Sequence, residues 1–97
     1  MSKGRPAAHF PADYDDKVIM AFQALKAGDA DEDQQRRVLD WLIVHAAGTY
    51  ELSFRSEREG GERETAFAEG RRFVGLQVVK MINMPPAMVA QLRKQNA

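Results

Sequence analysis

Apolar side chains recur at helical spacing from Tyr14 through Val18, Phe22 and Leu25, with Ile19 beside them. Residues three and four apart share one face of an α-helix, so the pattern predicts a first helix. Asp13 stands where a capping side chain is wanted, and Gly28 where a left-handed stop is wanted. Asp31 followed by Gln34 has the spacing of a capping box, and Glu32 and Asp33 fall in a first turn, where the helix dipole favours negative charge. A second helix is predicted from there. Val38, Leu39, Leu42, Ile43 and Ala46 form its broad apolar face, Trp41 and Val44 widen it, and Gly48 marks its end. A helix this apolar is expected at the centre of the fold.

Thr49 to Phe54 alternates polar and apolar residues, but no second alternating segment exists to pair with it. An extended or loosely helical connection is predicted. Arg55 to Glu64 is almost wholly charged apart from Gly60 and Gly61, and reads as a solvated loop. Beyond it Phe67, Gly70, Val74, Val78 and Met81 follow at steps of three and four, broadened by Phe73, Leu76 and Ile82, which predicts a third and longest helix. Gly70 and Gly75 lie inside it. Each costs roughly 1 kcal/mol against alanine in a helix interior, so the pair predicts close approach of another helix or a bend. Gly70, Gly75, Phe67 and Val74 are therefore the expected helix-packing residues. Asn83 and the Pro85-Pro86 pair end this helix, and proline in a first turn admits a short fourth one through Met88, Val89 and Leu92. Residues 1–12 carry two of the four prolines and read as a flexible arm; 13–97 read as a single helical domain. The expected fold is all-α, a small bundle of three to four helices whose second and third members form an antiparallel central pair.

Composition narrows the chemistry. With 97 residues, 44% of them apolar, the chain can bury one small core and little more. The absence of cysteine removes disulfides and thiolate zinc sites, and makes cytosolic folding the default. The longest mostly apolar stretch, Trp41 to Ala47, is far short of the roughly 20 residues of a membrane span, and no targeting signal is read at the N-terminus. Asp29-Ala30-Asp31-Glu32-Asp33 begins like a calcium loop, but Gln34 replaces the turn glycine and Arg36 and Arg37 intrude, so an acidic helix start is the better reading. His45 beside the apolar face reads as a partly buried, hydrogen-bonded core histidine. Serine occurs only at positions 2, 53 and 56, and Gly60-Gly61 lacks the surroundings of a phosphate loop. No catalytic, metal or cofactor-binding residues are expected, and the chain is not read as an enzyme.

Charge is more informative in its distribution than in its sum. Fourteen basic residues offset fourteen acidic ones, yet residues 1–48 hold six basic and eight acidic side chains, whereas residues 70–97 hold Arg71, Arg72, Lys80, Arg93 and Lys94 with no acid. Such an end suits an acidic patch on a partner, the Asp29–Asp33 cluster of a neighbouring copy, or nucleic-acid phosphates. Arg71 and Arg72 alternatively pair with Glu69 or Asp40 inside the domain. Met84 and Met88, flanking the double proline, add adaptable apolar surface to the same end. These seven residues are the expected partner-binding set.

The run Glu64-Thr65-Ala66-Phe67-Ala68-Glu69-Gly70-Arg71-Arg72-Phe73-Val74-Gly75-Leu76 resembles a family of small tailed-bacteriophage structural-domain proteins known from a Bordetella phage. An alanine-phenylalanine pair, a glycine with two arginines, and a glycine-leucine step carry the resemblance. Arg37-Val38-Leu39-Asp40-Trp41-Leu42 extends it upstream, so that it covers roughly residues 34–82. It implies a non-enzymatic virion structural or assembly protein, made in the host bacterial cytoplasm, present in several copies and contacting other phage structural proteins. A nucleic-acid-binding packaging or regulatory accessory, and a phage inhibitor of a host enzyme, are the alternatives. The charged Arg55–Glu64 loop and the additional C-terminal helix depart from the family pattern.

Overall fold

A computed structural model describes residues 5–96 of the chain. It is all-helical, with 67% of the chain in helix and four α-helices: α1 (Asp16–Ala27), α2 (Glu32–Asp40), α3 (Gly61–Ile82) and α4 (Pro86–Gln95). No strand forms among the described residues, and Thr49–Phe54 is an irregular connection.

Local chemistry explains most boundaries. The cap of α1 is Asp15 rather than Asp13; its carboxylate accepts from the Val18 N–H at 3.0 Å. Asp13 instead offers its carbonyl to the Trp41 indole N–H at 2.8 Å, a contact no local pattern predicts. Gly28 closes α1 in the left-handed conformation, φ 80°. The capping box at α2 forms as the spacing predicts: Asp31 accepts from the Gln34 N–H and the Gln34 amide accepts from the Asp31 N–H. Pro86 occupies the first turn of α4, as expected.

Two expectations need correction. The second helix is not uniform: after Asp40 it widens into a π-helical turn, Trp41–Ala46, in which the Ala47 N–H reaches back five residues to the Leu42 carbonyl. The predicted solvated loop is partly helical: Glu57–Glu59 is a 3-10 turn capped by Ser56, and α3 already begins at Gly61.

α1 packs on α2, with the Phe22 and Trp41 rings edge to face at 5.6 Å, and α3 packs on the π-helical turn. The buried apolar residues are Ala8, Val18, Ala21, Val38, Ala47 and Ala68, four of them alanine. Such side chains bury little area, so the fold leaves much of its apolar surface outside. The radius of gyration is 17.0 Å, where about 13 Å is usual for 100 residues, and the extents are 55 × 34 × 17 Å. α4 causes much of this elongation. It leaves α3 at a bend of 94°, and each of its residues is exposed. No single described helix is long and apolar enough to cross a membrane.

Candidate functional site

α3 carries two parallel rows of residues at seven-residue intervals. Gly61, Ala68 and Gly75 form the buried row, where small side chains admit the neighbouring backbone. At Gly75 the approach is closest: an added Cβ would overlap the Thr49 hydroxyl and lie 2.8 Å from the Ala47 Cβ. Thr49 is held there by its own hydrogen bond, Oγ1 donating to the Ile43 carbonyl at 2.6 Å. The expected packing role thus belongs to Gly75. It does not extend to Gly70, where an added Cβ would meet nothing within 4 Å.

The second row, Phe67, Val74 and Met81, is displaced by one residue and therefore by about 100° around the helix. Its members are 49%, 61% and 64% exposed. Phe67 touches the His9 ring edge-on, but Val74 opens onto a groove of about 300 Å³ between α3 and the π-helical turn, lined also by Leu42, Ile43 and Val78. On the other side of the molecule Tyr14, Ile19, Phe22 and Trp41 line a second apolar depression. Leu39 and Leu42, expected in a central core, are also exposed. His45 is exposed too, 4.0 Å from Asp40, rather than a partly buried core histidine.

The basic residues divide into two groups. Arg72 is drawn into the fold: its Nε donates to the Thr49 carbonyl at 3.0 Å, and its guanidinium lies 3.7 Å from Glu69. Arg71 lines the apolar groove, half-buried, with its Nε unpartnered. Lys80, Arg93 and Lys94 are exposed and form no ion pair among the described residues. Met88 stands exposed on α4 and Met84 is half-buried at the bend. Of the seven residues of the expected partner set, Lys80, Met88, Arg93 and Lys94 are exposed, and Arg71, Arg72 and Met84 are half-buried.

Residues 5–12 lie against the turn before α3. Arg5 donates to Glu59 at 3.0 Å and to the Leu52 carbonyl at 2.8 Å, Ala8 is buried and donates its N–H to Glu64 at 2.6 Å, and His9 Nδ1 also meets Glu64. The Arg5 hydrogen bond, helped by the Ser56 N–H, holds the Glu59 carboxyl at about 2, down from 4.5. The His9 hydrogen bond lowers Glu64 in the same direction. Depressed carboxylates favour the docked arm above their ordinary pKa, and this contribution fades as pH falls from about 4.5 towards 2. The arm is expected to loosen in that window while the helices persist. An NMR titration of the Ala8 amide, which reports on Glu64, checks this: its shift should move with a midpoint below 4.5, and an unchanged shift down to pH 2 would refute it.

Compared with known proteins, the chain matches no protein family, no curated protein and no solved structure.

Proposed function

We propose that this chain is a non-enzymatic structural or assembly protein of a tailed-phage virion, present in several copies and working through protein contacts. One observation carries the reading: apolar surface is left open on each α-helix of a chain folded around a core made mostly of alanine. Exposed apolar area of this extent in so small a domain is characteristic of a subunit whose remaining burial comes from neighbours. The resemblance over residues 34–82 supplies the phage setting. The reading includes the antiparallel pairing of the second and third helices as the frame that presents these faces. It also includes Lys80, Met84, Met88, Arg93 and Lys94 as the contact residues of the C-terminal limb, with Arg71 and Arg72 as further contact residues set back beside the apolar groove and the Thr49 carbonyl.

The exposed basic end sustains one other reading, a packaging accessory that touches nucleic-acid phosphates. Both are tested by mixing the purified chain with capsid, portal and tail proteins, and separately with duplex DNA at low and high salt. Stable co-sedimentation with a virion component is expected. Binding to DNA alone, falling steeply with salt, would replace the assembly reading with the accessory one.

A further inference from the structure

We infer that α3 is a self-association helix: two copies of the chain pair antiparallel through the row Phe67, Gly70, Val74 and Met81, with Gly70 at the crossing. Three features lead there. The first is Gly70 itself. It lies exposed inside a 22-residue helix, where it weakens the helix relative to alanine, and nothing in its own chain approaches it. The same helix uses Gly75 for close contact with Thr49, so an open glycine on the exposed row suits an approach from outside.

The second feature is the row. Phe67, Val74 and Met81 stand at heptad spacing, the period at which one helix presents a continuous seam to another. Phe67 and Val74 are nearly equidistant from Gly70, so an antiparallel partner sets Phe67 of each copy over Val74 of the other and leaves the two glycines facing. Arg63, exposed on the same face, ends the row.

The third feature identifies the occupant as a second copy. Glu62 and Lys80 lie on one flank of the row, about 27 Å apart along the helix axis, and neither has an ion-pair partner among the described residues. Their midpoint is residue 71, beside Gly70. Antiparallel pairing about that point brings Glu62 of each copy to Lys80 of the other, twice, by symmetry. A parallel pair would keep Glu62 of each copy about 27 Å along the axis from Lys80 of the other, so neither charge would meet its opposite. Residues 61–71 of α3 hold Glu62, Glu64 and Glu69 against Arg63 and Arg71, whereas residues 72–82 hold Arg72 and Lys80 with no acid, so the excess of each sign lies at the end that antiparallel pairing requires.

This inference deepens the assembly reading and rests on it only in supplying one of the neighbours. Sedimentation velocity on the full chain tests it. The wild type is expected to dimerise. Gly70→Leu should be monomeric, with helical circular dichroism intact and, at concentrations low enough for the wild type to be monomeric too, a melting temperature raised by about 3–6 °C, because leucine favours the helix and its Cβ meets nothing in its own chain. Glu62→Lys alone should weaken dimerisation about tenfold, and the pair Glu62→Lys with Lys80→Glu should restore it. A wild type that stays monomeric at about 200 µM, or a Gly70→Leu variant that dimerises as tightly as wild type, would overturn the α3 pair. If that monomer still binds a virion component, the assembly reading survives without it; if it binds none, both fall.

Discussion

Gly75→Ala is expected to lower the unfolding free energy by about 2–3 kcal/mol, although it adds a single methyl group. The new Cβ would overlap the Thr49 hydroxyl and sit 2.8 Å from the Ala47 Cβ and 3.0 Å from the Thr49 Cβ. Thr49 is 1% exposed and has no room to rotate away without abandoning its bond to the Ile43 carbonyl. Relief requires α3 to withdraw from the π-helical turn, which loosens the contact that joins α3 to the rest of the fold. The gain in helix propensity of about 1 kcal/mol offsets only part of this. Urea unfolding followed at 222 nm gives the number. Thr49→Ala in the same background should recover part of the loss, since the two side chains share one space and their effects will not add. A Gly75→Ala chain as stable as wild type would show that the approach of α3 to Thr49 is not close.

Arg55→Met is expected to act in the opposite direction, raising stability by about 1–3 kcal/mol. Arg55 is 4% exposed, and its Nε and Nη1 find no hydrogen-bond partner. Glu64 is near enough to feel its charge but is engaged by Ala8 and His9. A buried guanidinium in that position costs desolvation that the distant attraction of Glu64 repays only in part, whereas methionine fills a similar volume without charge. The backbone should not move, because Thr65 Oγ1 accepts from the Arg55 N–H at 2.8 Å and donates to the Gly61 carbonyl at 3.0 Å whatever side chain stands at position 55. Urea midpoints of the two chains decide the matter. A loss on substitution would mean that Arg55 is satisfied in solution by an anion or by water.

The helix ends were legible in the sequence because capping is a local affair. Asp31 with Gln34, Gly28 and Pro86 each act within a few residues of themselves, and spacing alone identifies them. The π-helical turn was not legible. Trp41 to Ala46 is apolar on nearly all sides apart from His45, so its pattern carries no phase from which a change of pitch can be read. The early start of α3 escaped for the converse reason: Gly61 to Glu64 has no apolar residue to mark a face. Gly70 and Gly75 look alike along the chain. Only the direction from which Thr49 arrives separates the one that packs from the one left open. The basic end was legible as composition, but the folding of Arg72 back onto the Thr49 carbonyl depends on where the irregular connection runs.

The π-helical turn also gives the chain one place where it can lose a residue. Such a turn holds an extra residue that an α-helix would lack, spread so widely that the chain leaves it in nearly the direction that an α-helix one residue shorter would give. Deleting one position between Leu42 and Ala46 lets the segment relax to ordinary helical pitch and still brings Thr49 to the face that Gly75 meets. The same deletion inside α2 or α3, where no residue is in excess, turns everything after it by about 100°. Single-residue deletions should therefore be tolerated better in the π-helical turn than in the helices on either side, since the spare residue is already stored there.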